Sequence, residues 1–295
     1  MSEPTPRSSR LTLAGVLALA VASGGGGFWL ARSTADGRAD TSPPASLPAI
    51  PSATPSATAA PAATPPSVLD RAGIIALAAQ AADAAAAGQA VPAAVADADG
   101  RRFDLRLPFG CEGPVAPDSP APLRWSYDER AETLRVTATP VTWSAEAWGL
   151  SATDGAIDAI EGFVVAQPWT SSPDCPARSA ELPSPSPAAD LPELAVGQVH
   201  FAAGARAGRR DGDAFTAVVR TPRDAVPTNS GLRLRLTGRL TGAGMAAPVQ
   251  CWQPNGAGTR PACLVGTTGT EVTIENAATG AVIGTWSWDG SGADR

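Results

Sequence analysis

Apolar and polar residues change their rhythm along this chain, and each rhythm predicts a different element. Leu11 to Ala31, LTLAGVLALAVASGGGGFWLA, is 21 residues without a charge. That suffices for the roughly 20 residues a helix needs to cross a bilayer. From 32 to 67 all periodicity is lost among Ala, Pro, Ser and Thr, with 8 prolines between Ser33 and Ser67. This composition predicts a disordered, extended Pro/Ala-rich linker with a reach of roughly 100 Å. Over Ser67–Gly88 alanine dominates, with a Ser-x-x-Asp start at Ser67 and Asp70 and a stop at Gly88. Ile74, Ile75, Ala78, Ala81, Ala82 and Ala85 fall on one arc, so one amphipathic helix is predicted.

Beyond the helix the period drops to two. Phe103, Leu105, Leu107 and Phe109 alternate with Arg102, Asp104 and Arg106, a half-buried strand. Trp125 and Tyr127, a polar turn, then Leu134, Val136 and Ala138 predict a hairpin. A strand follows at 162–167, and PSPSPAADLP from Pro183 reads as a second linker. Further strands are predicted at 197–202, 214–221, 232–240, 248–252, 263–266, 271–275 and 282–288. Cys251 opposite Cys263 would place Val249 opposite Val265, and a turn at Gly280 would place Ile274 opposite Ile283. The fold class is therefore mainly β: an N-terminal membrane helix, a stalk, one Ala-rich helix, then β-sandwich or small-barrel-like units. The predicted domains are 1–10 cytoplasmic, 11–31 transmembrane signal-anchor, 32–67 linker, 68–182 helix plus β, 183–192 linker and 193–295 β-sandwich-like.

The opening segment has two readings. Ala20-Val21-Ala22 fits signal cleavage before Ser23, which would release a secreted or periplasmic chain. The longer count, with Phe28 and Trp29 at an interface and Arg32 outside, favours an uncleaved anchor. Arg7 and Arg10 precede the span, so the N-terminus stays inside and the body lies in the periplasm, tethered to the inner membrane through 11–31. Ala14, Ala18, Ala22 and Gly26 recur every fourth residue, a stripe along which two spans can pack.

Composition excludes more than it assigns. All 22 basic residues are arginine, so lysine-dependent phosphate loops, Schiff bases and Ser-Lys dyads are ruled out. The single histidine, His200, has no Gly-x-Ser-x-Gly elbow to serve and reads as a strand residue. Asp97 and Asp99 before Gly100 lack the rest of a calcium loop. No metal or cofactor is implied, and an acidic, exported chain with net charge -6 argues against nucleic acid. Cys111, Cys175, Cys251 and Cys263 suit disulfides in an exported chain, paired Cys111–Cys175 and Cys251–Cys263 across the Pro-rich break.

Charge is uneven. Residues 68–194 hold 8 Arg against 18 acids, net -10, while 195–295 hold 10 Arg against 7 acids, net +3. In LRLRLTGRL, Arg233, Arg235 and Arg239 share one strand face, which suits carboxylate or phosphate groups if it is not simply solvated or paired. Trp286 and Trp288 share another, the best aromatic platform in the sequence unless they are core. The layout (basic start, single span, Pro/Ala stalk, disulfide-bearing β body) resembles membrane-tethered envelope proteins of Gram-negative bacteria. It implies a non-catalytic envelope module for a protein partner or an anionic glycan. The alternative is an envelope hydrolase using paired carboxylates such as Asp128 or Glu129. N-terminal sequencing of membrane-extracted protein checks the anchor: the expected chain retains residues before Ser23, and a mature start at Ser23 contradicts it.

Overall fold

In the computed structural model, the described residues are 67–150, 157–176, 191–202, 208–227 and 230–288, all within one compact unit, Ala62–Arg295. The expected span, stalk and small-residue stripe lie outside them. Among the described residues no helix is long and apolar enough to cross a membrane.

Two helices come first, α1 (Arg71–Ala86) and α2 (Ala93–Ala96). The strands are β1 (Arg102–Phe109), β2 (Leu123–Asp128), β3 (Thr133–Ala138), β4 (Val141–Trp143), β5 (Ile157–Val164), β6 (Leu194–Phe201), β7 (Phe215–Arg220), β8 (Leu232–Leu240), β9 (Val249–Trp252), β10 (Ala262–Asn276) and β11 (Val282–Ser287). The chain is mainly β, in two sheets. The larger runs β1-β8-β10-β6-β5-β4, with β9 and β11 also on β10; the smaller is β2-β3-β7.

α1 starts where Asp70 accepts the amide of Gly73 at 2.9 Å, three residues later than Ser67 suggests. It ends as the sequence implies, with Gly88 at φ +63 and amides 88 and 89 turned back to Ala85 and Ala84. Its buried face carries Ala78 and Ala81, and the Ala78 carbonyl lies 3.9 and 3.7 Å from the sulfurs of Cys251 and Cys263. Small side chains let the helix approach that closely. Cys111–Cys175 and Cys251–Cys263 are both formed. The first closes 64 residues and the second 12. Loop-closure entropy therefore makes the first worth roughly 4 kcal/mol and the second about 3.

β10 is the longest strand. Its first half pairs antiparallel with β9 and parallel with β6; its second half pairs with β8 and β11. The sequence reads it as two strands because Thr267-Thr268-Gly269-Thr270 interrupts the apolar rhythm. The register with β8 indeed slips between Thr268 and Glu271, but the strand runs on through the bulge. Val249 stands opposite Val265 as expected. Ile274 faces Gly284 instead of Ile283, because a second irregularity at Ile274/Glu275 shifts β11. The break at 183–192 does not divide the fold: β1 pairs with β8, β5 with β6 and β3 with β7. Stretches 68–182 and 193–295 thus build one body, not two units.

The apolar faces of both sheets share one core. Phe215 of β7 meets Phe163 of β5, Trp286 of β11 and Trp288 at ring separations of 6.4, 5.9 and 5.6 Å. Arg71 is also buried, 3% exposed, and no carboxylate among the described residues pairs with it. Its guanidinium donates to the carbonyls of Ala166, Gln167, Thr170 and Arg106 at 2.6, 3.1, 2.9 and 3.4 Å. Burial pulls its pKa below the ordinary value. Arg71→Ala should cost about 3 kcal/mol, since it orphans several buried acceptors at once. Urea unfolding under oxidising conditions checks this, and a loss below about 0.5 kcal/mol would mean the carbonyls find other donors.

Candidate functional site

β2, β3 and β7 turn Trp125, Leu134, Val136 and Phe215 into the core, so alternation sends their neighbours to the outer face. Register sets the outer residues in rows: Arg124, Thr137 and Thr216; Ser126, Arg135 and Val218; Asp128, Thr133 and Arg220. A groove crosses this face, made of two cavities of about 360 and 390 Å³ that share Val115, Pro117, Ser126 and Arg135. Its wall is the segment around Pro114–Pro117, tied to the sheet by the Val115 amide donating to Trp125 at 2.9 Å. Trp125 Nε1 in turn donates to the Gly110 carbonyl at 3.2 Å. Gly110 has φ +64, and a Cβ there would lie 2.3 Å from the Trp125 ring, so only glycine serves.

Arg135 lies exposed on the groove floor. Neither it nor Arg220 has a side-chain hydrogen bond or ion pair among the described residues. Arg124 donates Nη1 only to the neutral carbonyl of Ala121, at 2.9 Å. The hydroxyls of Ser126, Thr133, Thr137 and Thr216 line the same groove. Uncompensated guanidiniums among hydroxyls can hold carboxylate or phosphate groups in the forked geometry that such anions match.

The arginine face expected on β8 is occupied from within. Arg233 pairs with Asp174 and donates to the Pro173 carbonyl at 3.3 Å. Arg235 makes two bonds to Asp104, at 3.0 and 2.7 Å, and one to Glu275 at 3.5 Å. The bond to Asp104 is the main cause raising its pKa. Arg106 adds contacts of 3.6 and 3.8 Å to the same two acids, and Arg239 donates to the Gly100 carbonyl at 2.9 Å. These side chains form a charge ladder that knits β1, β8 and β10. The aromatic platform is likewise withdrawn: Trp288 is 2% exposed and Trp286 is half-buried, both packed on Phe215.

The paired acids are spoken for as well. Asp128 Oδ1 accepts the amides of Arg130 and Ala131 at 2.9 and 3.1 Å, and Glu129 pairs with Arg223 at 3.3 Å. Asp99 accepts the amide of Gly242 at 2.8 Å. Among the described residues no group of three or more His, Cys, Asp or Glu is placed to hold a metal. His200 has an unforeseen neighbour in Glu161, which is fully buried, with Nε2 3.4 Å from Oε2. The two Glu161 oxygens accept the amides of Arg210 and Asp211, each at 2.8 Å. The turn they hold carries Asp211 at φ +50 and Gly212 at φ +88. This carboxylate clamps a loop.

Arg124 and Arg135 line the groove, Arg220 stands on the same sheet face beyond it, and all three carry a sequence signal. LRWSYD, TLRVTA and FTAVVR each alternate, which puts Arg124, Arg135 and Arg220 on polar faces. What alternation cannot give is the pairing of β3 with β7, strands far apart in the chain. No family model, curated protein or solved structure matches the chain.

Burial, aided by nearby Arg209, holds the His200 pKa below its ordinary 6.5, against the pull of Glu161, Asp158 and Asp211. As pH falls below about 6.5 the unfolded chain binds the proton first, so this contribution to stability is lost. The unfolding midpoint should fall between about pH 7 and pH 5, and less so in His200→Gln. Equal slopes in both proteins would remove His200 as the cause.

Proposed function

We propose that this chain is an exported, membrane-tethered envelope protein whose β-sandwich-like body binds an anionic ligand without transforming it. The observation that carries the reading is Arg135, exposed and unpaired on the floor of a hydroxyl-lined groove. With the protein at net charge -6, an anion would be drawn to a local cationic patch and not to the surface at large. Export is supported by the charge-free stretch 11–31, the Pro/Ala-rich stalk and the two disulfides, which persist in oxidising compartments. The residue pair that a hydrolase would use, Asp128 and Glu129, is engaged in a turn and an ion pair, which favours binding over hydrolysis.

Retention of the detergent-extracted full chain on immobilised polyanion tests this. Arg135→Ala should elute at lower salt than the wild type, because exposed charge pairs are screened over about 10 Å at 0.1 M. Arg235→Ala should elute with the wild type but unfold more easily, since it leaves Asp104 and Glu275 only the longer contacts to Arg106. The eluted polyanion should keep its mass. Equal elution of wild type and Arg135→Ala removes the groove from the proposal, and shortened polyanion restores the hydrolase.

A further inference from the structure

We propose that the groove receives a linear acidic glycan whose carboxylates settle along a diagonal of guanidiniums: Arg124 on β2, Arg135 on β3 and Arg220 on β7. This rests on the reading that this face binds an anion. Arg124 is opposite Thr137, Arg135 is opposite Ser126 and Val218, and Arg220 is opposite Thr133. Each step along the line therefore moves one strand across and two residues along. Strand spacing and rise put successive Cα atoms about 8 Å apart and the whole line at about 17 Å. A single small anion can satisfy one member of such a line. A chain with repeating acidic groups can satisfy all of them.

The direction is fixed by Asp128, the one acid in these three rows. Asp128 sits on the third row at the β2 side, so the opposite diagonal, through Asp128, Arg135 and Thr216, would bring like charges together. A polyanion is therefore steered onto the arginine diagonal.

The chemistry of the floor favours sugar over peptide. The amides of β3 are committed to the ladders with β2 and β7, so the face has few main-chain donors for an extended peptide to pair with. The exposed apolar residues of the groove are Pro114, Val115, Ala116 and Pro117 along the wall and Val218 on the floor, all small or aliphatic. The hydroxyls of Ser126, Thr133, Thr137 and Thr216 both donate and accept, as sugar hydroxyls do. The exposed tryptophans of the described residues, Trp169 and Trp252, do not line the groove, and its own rings, Trp125 and Tyr127, are buried and half-buried, so charge supplies the main attraction.

Calorimetry of the full chain in detergent with oligogalacturonates of increasing length tests the assignment. Affinity should climb with length and level off once the oligomer spans about 17 Å. Methyl esterification of the longest oligomer should weaken binding about tenfold or more, as should Arg135→Ala, with about threefold for Arg124→Ala or Arg220→Ala. Arg135→Gln replaces Arg135→Ala if circular dichroism shows the latter misfolded. A monomer that binds as tightly as the longest oligomer overturns the diagonal. Polyglutamate or polyphosphate binding as tightly as the uronate overturns the glycan but leaves an anion site. No binding to any of these, with the variants folded, removes the anion reading itself.

Discussion

Everything in the larger sheet hangs on β10. A straight strand has two edges and can serve two neighbours, yet β10 serves four, changing partners part-way along its 15 residues. The slip between Thr268 and Glu271 makes this possible, because a bulge bends the strand and increases its twist. Polar residues at a buried bend need partners, and they have them: Thr267 donates to the Gly197 carbonyl at 3.1 Å and Thr270 to Thr267 at 3.2 Å. Gly269, at φ +59, takes the backbone conformation a side chain would resist. The threonine-glycine run is the hinge between two differently paired halves.

The arginines divide by environment. On the β8 face Arg235 lies between Asp104 of β1 and Glu275 of β10, Arg233 pairs with Asp174 beside a disulfide, and Arg239 donates to the Gly100 carbonyl. Arg71, deeper still, is held by carbonyl dipoles alone. These guanidiniums are structural, tying β1, β8, β10 and the segment around Asp174 together, and removal of Arg71 would leave buried carbonyls unpaired. On the outer face of β2-β3-β7 the same residue type stands without counter-charges. Arg102 and Arg130 are also exposed without side-chain partners, but they stand singly, whereas Arg124, Arg135 and Arg220 share one sheet face.

Much of the fold was legible because local rules govern it. The alternation of Phe103, Leu105, Leu107 and Phe109 became β1 with those four residues buried. The turn between Tyr127 and Leu134 set a hairpin in which Trp125 faces Val136. Both disulfides followed from spacing and the proline-rich break. Non-local pairing was not legible. Nothing in LRLRLTGRL reveals that Asp104 lies beside Arg235, so a face that looked free was already paired. The same blindness hid the groove, because one residue of each row comes from β7, beyond the proline-rich break. Trp286 and Trp288 alternate as a surface pair would, and only the arrival of Phe215 from the other sheet makes them core.

The ladder between β1 and β8 joins residues as far apart as Arg102 and Arg239. A ribosome therefore delivers the first strand of the large sheet long before the strand that will flank it, and the second half of β10, which flanks β8, comes later still. Early hairpins such as β2-β3 can form at once, but their apolar face has no cover until Phe215 and the tryptophans of 286 and 288 emerge. Most loop-closure entropy is thus met late and together, which favours slow, all-at-once folding of the finished polypeptide. A chain that stays open until its last strands arrive is one that a translocation channel can still thread.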